Sequence, residues 1–230
     1  MRKPVLALLG AMAFAPLGAG HALAQGQVYE PAPPRGSAYV RIVNTLPAAI
    51  QARPDFLPVQ NLGTQPAQRV MAYTVVENVA GRTLRVEVTE GSRRGQGSFR
   101  AAPDGFMTVI IHRGADGNPA VTAVAEDTDF NRARARLAFY NALPDCPSGA
   151  LQLQPGGQTV VGDVPAMGTR ARSVNPVTAE VRAVCGNRAS ASFSLQGLEA
   201  GGMYSIWMIP GAGAAPEAFL TRDATAPFRR

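Results

Sequence analysis

"YVRIVNTLP" occupies Tyr39 to Pro47, and "LAFYNALP" occupies Leu137 to Pro144. Both are apolar runs closed by Asn, a small residue, Leu and Pro. Placing Asn44 on Asn141 sets an offset of 97 residues. Other stretches keep nearly the same spacing. "GFMTVIIH" (105–112) matches "GGMYSIWM" (201–208), Pro119 falls on Pro216, and "LRVEVTEG" (84–91) corresponds to "AEVRAVCG" (179–186). "EDTDFNR", from Glu126, falls near "RDATAPFRR" at the C-terminus, with Phe130 opposite Phe228. Ordered matches at nearly constant spacing mark an internal duplication whose period is the length of a domain.

Each half carries a series of short runs rich in Val, Ile, Thr or aromatics and bounded by Gly, Pro, Asn or Asp, the pattern of strands and turns. In "TLRVEVT", Leu84, Val86 and Val88 point one way and Arg85 and Glu87 the other, a period of two. No segment keeps a helical period over several turns. The reading is an all-β protein of two tandem immunoglobulin-like antiparallel β-sandwich domains related by duplication, at 37–129 and 132–230. Strands are expected near 37–44, 70–76, 82–89, 97–101, 106–112 and 120–125. In the second half they are expected near 134–141, 149–153, 166–172, 177–185, 190–195, 203–209 and 217–222. The Pro-rich stretch at 25–36 reads as an extended arm.

The beginning of the chain has the three-part plan of a secretory signal peptide: Arg2 and Lys3, an apolar run, then small residues at Ala22 and Ala24. Cleavage is expected between Ala24 and Gln25, releasing a periplasmic chain of about 206 residues. No Cys stands at the cut for a lipid anchor, and no later run is long and apolar enough for a membrane span. Lys3 is the only lysine, so the formal charge falls from +6 to +4 with the leader and rests on arginine. That balance is too diffuse for a nucleic-acid surface. Cys146 and Cys185 are the only cysteines, and in an oxidising compartment an isolated pair reads as a disulfide rather than two buried thiols.

Chemistry-bearing motifs are scarce. Beyond the leader His112 is the only histidine, at a strand end, with no G-x-S-x-G nucleophile to serve. No C-x-x-C or H-E-x-x-H supplies metal ligands. "EDTDF" (126–130) clusters carboxylates but lacks a calcium-loop glycine, and reads as an acidic linker. No phosphate-cradling loop precedes a helix, so no cofactor is expected. Trp207 reads as core, on a strand whose two faces are both apolar. "GSRRGQGSFR" places Arg93, Arg94 and Arg100 in and after a turn, either a solvated hairpin or a tip that binds anionic sugar or carboxylates.

The most specific residues lie at the start of the mature chain. "VYEPAPPRGSAYVRIVN", Val28 to Asn44, resembles the mature N-terminus of the AlgF family of alginate O-acetylation accessory proteins. The match rests on Tyr29, Pro31, Pro34, Arg35, Gly36, Ser37, Ala38, Tyr39, Val40, Arg41 and Asn44. "RLAFYNALPD" is also similar to the start of secreted β-sandwich domains. The family resemblance implies a non-catalytic periplasmic protein needed for O-acetylation of a secreted exopolysaccharide such as alginate or cellulose. Its implied partners are a periplasmic SGNH-type acetyltransferase and a membrane-bound O-acyltransferase, with the polysaccharide a further candidate. Tyr29 and Arg35 in the matched arm, with Arg93, Arg94 and Arg100, form the candidate interaction surface. The alternative is a polysaccharide-binding or structural module of the envelope.

Overall fold

The computed structural model describes residues 33–127 and 131–228. The leader, the Ala24–Gln25 cleavage site, Tyr29 and the expected boundary at Asp129 lie outside the described residues.

In the first half the strands are β1 (Ala38–Asn44), β2 (Ile50–Pro54), β3 (Gln60–Leu62), β4 (Thr74–Val76), β5 (Leu84–Glu90), β6 (Arg93–Phe99), β7 (Phe106–Arg113) and β8 (Pro119–Glu126). A single helical turn, α1 (Pro66–Arg69), precedes β4. Two sheets form, ordered β4-β1-β7-β8 and β3-β2-β5-β6. The second half runs β9 (Ala135–Asn141), β10 (Gly149–Gln154), β11 (Thr159–Val164), β12 (Gly168–Val174), β13 (Glu180–Cys185), β14 (Arg188–Ala189), β15 (Phe193–Ser194), β16 (Met203–Ile209) and β17 (Glu217–Arg222). Its sheets are β12-β9-β16-β17 and β11-β10-β13-β14, with β15 also on β13. The strand order is the same in both halves, with β14 and β15 standing where β6 stands in the first.

The expected sandwiches are therefore present. The named strands pair antiparallel, except that β1 runs parallel to β7 and β9 parallel to β16, and an isolated parallel bridge joins Tyr73 to Thr225. The reason is connectivity: β1 reaches β7 only after the chain has built the whole outer sheet, and such a crossover permits a parallel neighbour where a hairpin does not. The strands β2, β3, β11 and the two-residue β14 fall outside the expected spans, and β6 begins at Arg93, ahead of the expected 97–101. Prolines at 54 and 58 and the broken run "VVGDV", where Asp163 has φ +53°, weaken the strand signal at the first three.

Each sandwich has its own core. Val40, Ile42, Val86, Val88, Val109 and Ile111 belong to the first, and Leu137, Phe139, Leu151, Val181, Ile206 and Met208 to the second. A third core lies between the halves. It holds Val43 and Ile110 from one inner sheet and Ala138, Tyr140, Trp207 and Ile209 from the other. The strands β1, β7, β9 and β16 are thus covered on both faces, which is why apolar residues stand at both parities of each, interrupted by the buried polar side chains Arg41, Thr108, Arg136 and Ser205. Trp207 is fully buried and stacks on Tyr140, with ring centroids 4.1 Å apart. The two sandwiches share this core rather than standing as separate beads. The chain after β17 also reaches back: Tyr73 N–H donates to the Ala224 carbonyl (2.8 Å), and Ala226 N–H donates to the Tyr73 carbonyl (2.7 Å).

The repeated Asn has one structural task in both places. Asn44 is fully buried; its Nδ2 donates to the carbonyls of Ala48 and Gly63 (2.9 Å each), and its Oδ1 accepts from Leu46 N–H (2.9 Å). Asn141, also fully buried, donates to Cys146 O (2.9 Å) and Val164 O (3.0 Å) and accepts from Leu143 N–H (3.3 Å). Each side chain latches the loop that crosses from inner to outer sheet onto the end of the outer sheet's edge strand. A buried loop backbone needs such partners, and Asn supplies donors and acceptor together.

Each crossing loop has a second brace, and the braces differ. In the first half Arg69 of α1 donates from Nη1 to the carbonyls of Asn44 (3.0 Å) and Leu46 (2.8 Å). In the second, Cys146 and Cys185 form the expected disulfide, with Cα atoms 5.8 Å apart.

Candidate functional site

Of the residues singled out in the sequence, the arginines of "GSRRGQGSFR" do not form one cluster. Arg93 and Arg94 open β6 beside the Gly91–Ser92 turn, while Arg100 follows its far end, about 20 Å away at strand rise. Arg93 lies 3.7 Å from Glu90 across the hairpin, and Arg113 grips the same carboxylate with both Nη atoms at 2.5 and 2.6 Å. The Arg113 hydrogen bond leads the causes that hold the Glu90 carboxyl below its ordinary range. The Gly-x-Gly in this stretch serves packing. A Cβ on Gly95 would sit 1.7 Å from the Pro119 carbonyl oxygen, and one on Gly97 would sit 2.5 Å from Val121 Cβ, so β6 closes tightly onto β8. Arg35 is exposed in the turn before β1.

His112 is half-buried with both ring nitrogens engaged, at 2.9 Å from Thr122 Oγ1 and 3.1 Å from the Arg113 carbonyl. Burial pushes its pKa down against the opposing backbone bond. Among the described residues no helix is long and apolar enough to cross a membrane.

The densest polar cluster was not anticipated. Arg41 projects from β1 into the space between the inner sheets and is 1 % exposed. Its Nη1 donates to Asp223 (2.7 Å), its Nε to Thr108 Oγ1 (2.8 Å), and its Nη2 to Tyr140 Oη (2.8 Å) and Ser205 Oγ (3.0 Å). Glu126 lies 3.5 Å from the same Nη2. Thr108 in turn donates to Glu126, and Ser205 donates to Asp223 (2.8 Å). Tyr73 also donates to Glu126. The guanidinium carbon sits over the rings of Tyr73, Trp207 and Tyr140, at 4.3, 4.9 and 5.3 Å. Arg136 completes the set, 3.6 Å from Glu126.

Burial would lower the Arg41 pKa, but Tyr140, Asp223, Tyr73 and Glu126 outweigh it and hold the guanidinium charged. Burial likewise works to raise Glu126, and Arg41 with its hydroxyl donors holds the carboxyl below its usual range instead. Tyr73 and Tyr140 are pushed up, chiefly by burial. Glu126 corrects the linker reading of "EDTDF": it is the last residue of β8, and its side chain is 2 % exposed.

The cluster follows the 97-residue spacing that sets Asn44 on Asn141. Thr108 and Ser205, and Glu126 and Asp223, each stand 97 residues apart. Two equivalent hydroxyl–carboxylate pairs therefore face each other across the junction, and the one Arg41, opposite Ala138 in the repeat, bridges both. Beside it opens a cleft of about 410 Å³ between α1 and β17, walled by Pro66, Val70, Met71 and Leu220. On the outer sheet of the first half lies a shallow depression of about 760 Å³ with Gln51, Asn61, Gln68 and Thr89 at its surface.

No family model and no curated protein matches the chain.

Proposed function

We propose that the chain is a non-catalytic periplasmic adaptor required for O-acetylation of a secreted exopolysaccharide, holding a periplasmic SGNH-type acetyltransferase beside a membrane-bound O-acyltransferase. The observation that carries this reading is the AlgF-like stretch Val28–Asn44. Two of its matched residues, Arg41 and Asn44, have demanding tasks in the fold, one bridging the halves and the other latching the crossing loop. A scaffold with two sandwiches joined through a shared core offers partners two surfaces at a set spacing, and contacts linked in this way act at mM-scale effective concentration. The deciding measurement is the acetyl content of the secreted polymer after deletion of the gene. Acetylation is expected to be lost while the polymer is still made. Unchanged acetylation refutes the adaptor reading.

The alternative is a polysaccharide-binding or structural module, favoured by the amide-lined depression at Gln51, Asn61 and Gln68, since side-chain amides both donate to and accept from sugar hydroxyls. Loss of the polymer itself on deletion supports it.

A further inference from the structure

The two halves differ at one end of the sandwich. β4 and β12 end at matching places, since Val76 pairs with Ala38 and Val174 with Ala135. Three residues later the first half has Val79, 1 % exposed and bonded through its N–H to the Gly36 carbonyl (3.1 Å). The second half has Val177, 48 % exposed. Counting back from the hairpin glycines Gly91 and Gly186 places Leu84 opposite Ala179 in the repeat. In the first half Leu84 pairs with Phe99, and Phe56 meets Phe99 edge-on at 5.9 Å. In the second, Ala179 meets Leu195. Smaller side chains leave that end underfilled, and a groove of about 360 Å³ opens there, floored by Leu137, Leu153 and Leu195.

The mouth of the groove is cationic. Arg134 and Arg172 line it, no acidic residue does, and neither arginine has an ion-pair partner among the described residues. Arg172 donates instead to the Val160 carbonyl (3.0 Å), which fixes its guanidinium at the rim. An apolar slot with fixed positive charge at its edge fits apolar side chains flanked by carboxylates.

We infer that this groove docks a segment of a partner protein in which apolar residues alternate with acidic ones, the segment supplying the side chains that Leu84, Phe99 and Val79 supply in the first half. The inference rests on the adaptor reading for the partner's identity, but not for the chemistry of the groove.

The test uses the full mature chain and short synthetic peptides read by fluorescence anisotropy. One peptide alternates Val or Leu with Asp; a second replaces Asp by Asn; a third replaces the apolar residues by Ser. The acidic–apolar peptide is expected to bind, and both replacements to weaken binding by about tenfold or more. Added salt should weaken it as well. Val177→Glu, at an exposed position, and the double change Arg134→Glu with Arg172→Glu should each weaken binding about tenfold without lowering the melting temperature. Ala179→Leu should fill the slot, raising stability while reducing binding.

Equal binding of the three peptides, or none, overturns the proposal. So does a preference for laurate, which would make the slot a lipid site, or a concentration-dependent dimer abolished by Val177→Glu, which would make it a self-association face. In cells, Val177→Glu should fail to restore polymer acetylation to the deletion strain. Full rescue by that variant refutes the groove while leaving the adaptor reading intact. Normal acetylation in the deletion strain refutes the adaptor reading and leaves the peptide result to stand or fall alone.

Discussion

Arg41→Met is the sharpest perturbation of the junction. Methionine keeps some of the apolar stem but removes every charged contact. Glu126 and Asp223, with side chains 2 % and 0 % exposed, stay behind without the cation that bridges them. Removing one partner of a buried ion pair costs about 3–5 kcal/mol, because the remaining charge is stranded away from water. The lost stacking over Tyr73, Trp207 and Tyr140 acts in the same direction. For a chain of this length about 1 kcal/mol moves the melting temperature by about 2–4 °C, so a fall of roughly 6–20 °C is expected. Differential scanning calorimetry at neutral pH measures it. Adding Asp223→Asn to Arg41→Met removes the carboxylate left without a cation, while Glu126 keeps Arg136 at 3.6 Å, and part of the loss should return. A single Arg41→Met change costing under about 1 kcal/mol, or a double variant no better than the single one, would refute the buried-bridge account.

Acid should attack the same place. The folded pKa of Glu126 is lowered, so its stabilisation is complete above the ordinary carboxylate range and is lost as pH falls through the folded value. Unfolding free energy in urea should therefore drop on acidification, and less steeply in Glu126→Gln. Cys146→Ala should destabilise the protein by about 2–4 kcal/mol, with wild-type protein showing one intramolecular bridge by non-reducing mass spectrometry. Asn44→Ala and Asn141→Ala each strip a buried loop of its partners, and each should cost at least about 1–3 kcal/mol. Gly95→Ala forces its Cβ against the Pro119 carbonyl and should lower the melting temperature, whereas Ala at exposed Arg94 should leave it unchanged within about 0.5 kcal/mol.

Much of the architecture was legible in a line of residues. The spacing of Asn44 and Asn141 located two similar units, and alternation in "TLRVEVT" predicted the face that Leu84, Val86 and Val88 bury. Apolar residues at both parities of "MYSIWMI" marked a strand covered on both faces, and Trp207 is buried as that pattern implies. These features are local: a period of two is set by the backbone, and a latch at a strand end recurs wherever the same loop must be held.

The junction was not legible, because its members are scattered from Arg41 to Asp223 and each looks ordinary alone. Arg41 enters only as one residue of the N-terminal resemblance, and Glu126 as part of an acidic linker. Only the stacking of the inner sheets turns their outward faces into an interior. There the low dielectric makes an ion pair obligatory for any charge that stays. The equal spacing of Thr108 and Ser205, and of Glu126 and Asp223, was present in the sequence, but spacing does not say that two equivalent positions face each other. The groove beneath Val177 has the same origin: "NPVTAEV" carries no mark of an open slot until Ala179 takes the place that Leu84 fills in the other half. Sequence alone marked the all-β class, most of the strands and the cysteine pair, since each follows from backbone geometry or covalent chemistry. Tertiary packing decided which charges are buried, which apolar side chains are left uncovered and where a groove opens, because burial belongs to the assembled layers and to no single strand.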